Sequence, residues 1–268
     1  MVIGGRKFDF QNDFYVMGIL NITPDSFSDG GLWVKPEKAL KQAEKMLSEG
    51  ADIIDIGGES TRPGHEAVSA QKEIERILPV IEALAAKLDI ALSIDTSKAD
   101  VAKAAIEAGA VFVNDVWGLK RDPKMAGLIA SKGVACCLMH NREKIDYTNF
   151  FDDMLLDIQA SVNLALDAGI CKSKIMLDPG IGFGKTYEMN LKTLNNLEKF
   201  RTLGYPILLG TSRKSVIGMT LDLPADERVE GTVATNVIGL AKGCSMFRVH
   251  DVKETKRALK MAEAILKS

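Results

Sequence analysis

Ile90-Ala91-Leu92-Ser93-Ile94-Asp95-Thr96-Ser97-Lys98 is a short, mostly apolar run that stops on a carboxylate and passes at once into helix-patterned sequence. Residues 98–108 read as that helix, closed by Gly109, and the next apolar run, 111–113, ends on Asn114 and Asp115. Continuous apolar stretches of this length are what strands buried on both faces require. Strand, helix and strand in succession mean parallel pairing with a right-handed crossover.

The same unit recurs along the chain. Apolar runs at 15–20, 52–56, 90–94, 111–113, 134–139, 175–177, 207–209 and 246–249 make eight candidate strands. They end, in order, on Asn21, on Gly57-Gly58, on Asp95, on Asn114-Asp115, on His140, on Asp178, on Gly210 leading to Lys214, and on Arg248 with His250. Helical stripes lie between them. Residues 36–47 align Ala39, Leu40, Ala43, Met46 and Leu47, then stop at Gly50; residues 70–88 align Ile74, Ile77, Leu78, Ile81, Leu84 and Leu88. Residues 154–168 end at Gly169. Eight such units in 268 residues predict an α/β chain folded as one eight-stranded parallel (β/α)8 barrel, a single domain over 1–268. An open doubly wound sheet is the structural rival. Residues 2–10, with Gly4-Gly5 between β-prone residues, read as a short N-terminal hairpin against the barrel's bottom. In a parallel barrel the strand ends share one face, so the polar ends would form one pocket.

Composition narrows the function. The net charge of −2 provides no basic field to draw the protein to nucleic acid or to a membrane. No apolar run approaches membrane-spanning length, and the first 13 residues lack the apolar core of a signal peptide. The four cysteines (Cys136, Cys137, Cys171 and Cys244) contain no C-x-x-C pair, which fits a reducing cytoplasm. His65, His140 and His250 are the only histidines, and neither H-x-H nor H-E-x-x-H occurs, so a multi-histidine zinc centre is not written here. A hard cation held by oxygen ligands and phosphate is easier to accommodate.

The loops after the strands carry the remaining signals, each with a plainer alternative. Two are long for this architecture, 22–35 and 58–69, and are rich in Gly, Ser, Thr, Pro and Asp. The first holds Phe27, an aromatic that would be costly to leave in water. The second holds Arg62, whose planar fork suits phosphate or carboxylate but which is equally at home on a solvated surface. Asp95, Asn114 and Asp178 converging at one mouth would suit a flat heterocycle bearing several N–H donors. The plainer alternative is separate helix N-capping, and Asp95 ahead of Thr96-Ser97-Lys98 fits it well. Residues 180–186 resemble a phosphate loop but miss the pattern, because Pro179 stands where glycine is needed. They read instead as a tight glycine loop with Phe183 as a stacking wall. Lys214 and Ser215 follow the seventh strand, where barrels often bind phosphate. Arg248 and His250, two residues apart, point the same way and together suit a diphosphate.

Five motifs taken together are similar to those of the dihydropteroate synthase family: Asn21-Ile22-Thr23-Pro24-Asp25-Ser26-Phe27-Ser28-Asp29-Gly30-Gly31, Gly57-Gly58-Glu59-Ser60-Thr61-Arg62-Pro63-Gly64, Asp178-Pro179-Gly180-Ile181-Gly182-Phe183-Gly184, Gly210-Thr211-Ser212-Arg213-Lys214-Ser215 and Arg248-Val249-His250. They stand in the family's order. One departure follows Met139-His140, where Asn141-Arg142-Glu143-Lys144 replaces a glutamine- and glycine-containing stretch. The resemblance implies a barrel enzyme of folate biosynthesis that joins 6-hydroxymethyl-7,8-dihydropterin diphosphate to para-aminobenzoate and releases pyrophosphate. It implies that Asp95, Asn114, Asp178 and Lys214 hold the pterin, with Met139 and Phe183 lining its pocket. It assigns Asn21 to Mg2+ and pyrophosphate, and Arg62, Arg248 and His250 to the anion. Phe27, Thr61, Pro63 and Ser215 would shape the para-aminobenzoate site, the one that sulfonamides occupy. Asp95, Lys214, Arg248 and Asn21 are the expected catalytic set. A homodimer is implied, without indicating which outer helices form it. A pterin-dependent methyltransferase and a non-catalytic pterin-binding barrel are the competing readings. The first-loop motif and the Arg248/His250 pair speak against both, since neither needs a diphosphate site.

Overall fold

The structure, a computed structural model, describes residues 1–22, 36–59 and 68–268. The chain opens with an antiparallel hairpin, β1 (Val2–Ile3) and β2 (Arg6–Lys7). Its turn is Gly4-Gly5, both at positive φ (55° and 80°), a conformation that glycine alone adopts without strain. Eight parallel strands follow: β3 (Tyr15–Asn21), β4 (Ile53–Gly57), β5 (Ala91–Asp95), β6 (Phe112–Asp115), β7 (Ala135–Met139), β8 (Ile175–Asp178), β9 (Leu208–Leu209) and β10 (Met246–Val249). Their order in the sheet is β8-β7-β6-β5-β4-β3-β10-β9. The last seam, between β8 and β9, is drawn together by a parallel bridge from Leu177 to Ile207, with Leu177 N donating to Pro206 O at 3.0 Å. The sheet is thus a nearly closed barrel, and the open-sheet rival is set aside.

Helices α1 (Pro36–Ser48), α2 (Ala70–Lys87), α3 (Ala99–Glu107), α4 (Met125–Lys132), α5 (Phe150–Asp167), α6 (Tyr187–Asn195), α7 (Ser215–Leu221), α8 (Val229–Ala241) and α9 (Val252–Leu266) complete the element order. Outward strand residues such as Val16, Leu20, Ile54, Ile56, Leu92 and Ile94 pack against helix residues such as Ala39, Ala43, Ile77, Ile81 and Leu84. Gly18 on β3 is a close approach: a methyl there would meet Met46 Sδ at 2.9 Å.

Period-2 alternation sorts the barrel interior into levels. At the lowest level Met17, Ile53, Ala91, Phe112, Cys137, Met176, Leu208 and Met246 form an apolar cluster. Ile3 and Phe8 from the N-terminal segment close it from below, as the sequence led us to expect. Two residues further along the strands the interior turns polar, with Asp55, Ser93, Asn114, Asp178 and Arg248. Two further again stand Asn21, Gly57 and Asp95, aligned across neighbouring ladders.

Strand boundaries differ from the sequence reading in one consistent way. The expected runs stop before the polar residue, whereas β3, β5, β6 and β8 take it into the ladder, as β4 does Gly57. A polar side chain does not end main-chain pairing. It only marks where the inward face reaches the mouth. Asn21, Asp95, Asn114 and Asp178 are therefore held by ladder hydrogen bonds and not by loops.

Candidate active site

Arg248 occupies the centre of the polar level. Its Nε donates to Asp55 Oδ2 at 2.5 Å and its Nη2 to Asp95 Oδ2 at 2.6 Å. Asp55 is fully buried and also accepts from Ser93 Oγ and from Asn114 Nδ2, the latter at 3.2 Å. Two carboxylates share one guanidinium. Burial accordingly lifts Asp95 from its ordinary value to about 7, against the attraction of Arg248 and with help from the neighbouring charge of Asp55. Burial opposes the charge on Arg248 as well, but Asp55 and Asp95 outweigh it and hold the guanidinium above its ordinary range. Among the described residues Asp95 Oδ1 is buried without a hydrogen-bond partner. Such an acceptor is costly unless a donor from outside the chain meets it.

Across the barrel Asp178 faces Lys214. Asp178 Oδ1 accepts from Gly180 N at 2.7 Å, and burial raises its carboxyl pKa in spite of Lys214. Burial lowers Lys214 to about 8, with Asp178 acting in the opposite sense. The Lys214 ammonium donates to Ile181 O and lies 4.8 Å over the Phe183 ring. Gly210 borders this pair: a methyl there would lie in ordinary contact, 3.6 Å from Asp178 Oδ2 and 3.9 Å from Lys214 Nζ. The loop presenting Lys214 is strained at Arg213, a non-glycine residue at φ 58°. A two-pronged pair with Asp251, at 3.1 and 2.6 Å, and a donation from Arg213 N to Thr232 Oγ1 hold it there. Met139 is buried on the inward face of β7, next to Asp178 in the ladder.

At the rim, Gly57 lies between Asn21 and Asp95. A methyl at this position would sit 3.5 Å from Asn21 Oδ1 and 4.0 Å from Asp95 Oδ2. The missing side chain leaves an oxygen-lined gap. His250 is oriented by Ser212, whose hydroxyl lies 2.9 Å from the ring Nδ1 and accepts from His250 N at 3.1 Å. Ser215 is exposed and opens α7. The stem of the second long loop is tied by Lys98 Nζ, which donates to Glu59 Oε2, Glu73 Oε2 and Val68 O at 2.7–2.8 Å.

Asp95, Asn114, Asp178, Lys214 and Arg248 thus meet inside one mouth, with Met139, Phe183, Asn21 and His250 around them. Phe27, Thr61, Arg62 and Pro63 lie outside the described residues. N-capping does not account for Asp95, because α3 begins at Ala99, whose N–H donates to Asp122 Oδ2. It comes closer for Asp115, which accepts from Trp117 N and Leu119 N in the turn after β6. The sequence reading passed over Asp55, hidden inside an apolar run. Its parity with Gly57 was the available signal, since both must face inward.

A family profile described as "Pterin binding enzyme" matches residues 17–250. A dihydropteroate synthase of Clostridium beijerinckii is 56% identical over 268 residues, covering 100% of both chains. The chain belongs to the dihydropteroate synthase family. Among solved structures, a dihydropteroate synthase of Clostridium difficile, described in the presence of pteroic acid, superposes with a TM-score of 0.95 at 48% identity, covering 98% of this chain and 100% of that one. Another from Xanthomonas albilineans, with 4-aminobenzoic acid, gives a TM-score of 0.94 at 40% identity, with 99% and 97% covered. Among the described residues no helix is long and apolar enough to cross a membrane.

Proposed function

We propose that the chain works as one pterin-binding barrel over residues 1–268 and catalyses the family reaction: 6-hydroxymethyl-7,8-dihydropterin diphosphate and para-aminobenzoate give 7,8-dihydropteroate and pyrophosphate. The observation that carries this reading is Asp95 Oδ1, buried and without a partner among the described residues, at the heart of a pocket of acceptors. A pterin ring offers a matching row of N–H donors. Asp95, Asn114 and Asp178 would accept from the ring, Lys214 would meet its carbonyl, and Met139 and Phe183 would flank its faces.

The methylene carbon beside the ring loses its C–O bond to the diphosphate, and the electron pair leaves with pyrophosphate. The positive charge spreads into the dihydropterin. The arylamine nitrogen then donates its lone pair to form the new C–N bond, and its extra proton passes to water. No nucleophilic side chain is needed. Catalysis rests on stabilising two separating charges. The Asp55–Arg248–Asp95 cluster places negative charge under the ring, where the cation grows. Arg62, His250 and the guanidinium edge of Arg248 would receive the leaving group. Phe27, Thr61, Pro63 and Ser215 would receive para-aminobenzoate.

Among the described residues no three His, Cys, Asp or Glu side chains are arranged to hold a metal ion. The gap between Asn21 Oδ1 and Asp95 fits a hard cation that takes most of its ligands from diphosphate and water. Asn21 would hold Mg2+ there, and the ion would neutralise diphosphate oxygens. We place the enzyme in the cytoplasm, a location supported by four unpaired cysteines. We also assign it a homodimer through its outer helices, supported by the exposed apolar residues Met219, Ile238, Met261 and Ile265 on α7, α8 and α9.

The decisive experiment mixes purified protein, both substrates and magnesium and follows pyrophosphate. Release that requires para-aminobenzoate, with dihydropteroate appearing in equal amount, supports the reading. Pterin binding without turnover would favour a non-catalytic barrel instead.

A further inference from the structure

One buried cluster lies behind the pocket and plays no part in the chemistry above. Lys185 is only 9% exposed. Its Nζ donates to Gly180 O at 2.9 Å and to Phe183 O at 3.0 Å, and it lies 2.9 Å from His140 Nδ1. An ammonium has three hydrogens, and three acceptors stand around this one. His140 is fully buried at the end of β7. With Nδ1 accepting, its proton belongs on Nε2, which donates to Asp157 Oδ2 at 3.1 Å. Asp157, on α5, also accepts from Arg142 Nε at 2.6 Å. The chain of contacts runs from α5, through the first residues after β7, into the glycine loop after β8.

That loop has little conformational preference of its own. Gly180, Gly182 and Gly184 all have positive φ, at 69°, 85° and 55°. Three side chains fix its carbonyls: Lys185 takes Gly180 O and Phe183 O, Lys214 takes Ile181 O, and Tyr147 Oη donates to Gly184 O at 2.7 Å. Gly184 also packs on the backbone of Arg142, where an added methyl would meet Arg142 O at 2.8 Å. The residues after His140, where the sequence departs from the commoner family pattern, therefore buttress the loop that carries Phe183.

We infer that Lys185, His140 and Asp157 form a positioning relay that fixes the glycine loop, and through it Phe183 and Lys214, in the geometry that binds the pterin ring. None of the three touches the reacting atoms. The inference rests on the pterin reading of the pocket. The relay acts on the affinity for the pterin substrate and leaves the aminobenzoate site alone, because the mouth loop whose carbonyls it holds is the one after β8, which carries Phe183.

Steady-state kinetics on the full chain test it. Lys185→Ala should raise KM for the dihydropterin diphosphate by roughly ten- to a hundred-fold, while kcat at saturation and KM for para-aminobenzoate change by less than about threefold. Methylammonium or ethylammonium, small enough for the vacated space, should restore part of the pterin affinity. An unchanged pterin KM, or a loss shared equally by kcat and both KM values and untouched by added amine, would overturn the relay. If Lys185→Ala does not fold, the milder Asp157→Asn decides: the pterin KM should rise at least about threefold with para-aminobenzoate unaffected, and no change would overturn the inference. A wild-type protein that releases no pyrophosphate would instead sink the functional reading, so the two failures are distinguishable.

Discussion

Asp95 lies where binding and chemistry make different demands on one carboxylate. On the proposed mechanism an amide oxygen can replace it as an acceptor, but not as a negative charge under a forming cation. Asp95→Asn should therefore lower kcat by roughly a hundredfold or more while weakening pterin binding much less. Equal losses in single-turnover rate and pterin affinity would reduce Asp95 to a positioning group. The pH dependence has a defined sign. Burial raises Asp95 to about 7, so the accepting anion becomes dominant only as pH rises through that value. The affinity of a pterin bearing no phosphate, measured by calorimetry, should strengthen from about pH 6 to 8, and this rise should shrink in Asp95→Asn. Stability moves the opposite way. Between the ordinary value of 3.8 and about 7 the folded chain holds a proton that the unfolded chain has lost, so stability falls as pH rises across that window. Arg248 is the other hinge of the site. Arg248→Met leaves Asp55 and Asp95 buried without their cation and should cost about 3–5 kcal/mol in urea unfolding. A loss under about 1 kcal/mol would mean the two acids were never charged together.

At the scale of elements, the strands and the glycine loop divide the work. The strands were legible because eight apolar runs alternate with helical stripes, and the convergence of Asn21, Asp95, Asn114, Asp178 and Arg248 followed from that topology alone. Asp55 escaped because a lone acid in Ile53-Ile54-Asp55-Ile56 does not break an apolar run; only its parity with Gly57 betrays it. The relay from Asp157 to Lys185 escaped for a different reason. Its members are 45 residues apart between His140 and Lys185, and nothing local pairs them. The glycine loop itself gives a sharp prediction. Gly180→Ala forces a side chain into a left-handed backbone and places its methyl 2.0 Å from His140 O. It should destabilise the protein by more than about 2 kcal/mol, read as a drop in the urea midpoint. Gly57→Ala is the contrasting case, because its φ is ordinary and its methyl reaches only the edge of the Asn21–Asp95 gap. Thermal stability should be nearly kept, while the magnesium-dependent binding of pyrophosphate weakens.

Over the whole molecule, the outer wall and the floor serve separate ends. On the wall, exposed apolar side chains on α7, α8 and α9 supply the face assigned to the dimer. Met261→Lys combined with Ile265→Glu should halve the mass measured by light scattering and leave the far-ultraviolet circular dichroism unchanged; an undiminished mass would place the interface elsewhere. The floor is the hairpin, with Ile3 and Phe8 seated under the lowest apolar level. It makes the barrel a cul-de-sac. On the proposed reading, cargo that lodges against Asp55 and Asp95 has to arrive before anything stacked above it. Entry is thus ordered: the arylamine, or a drug imitating it, should find no lasting seat until a pterin has parked beneath.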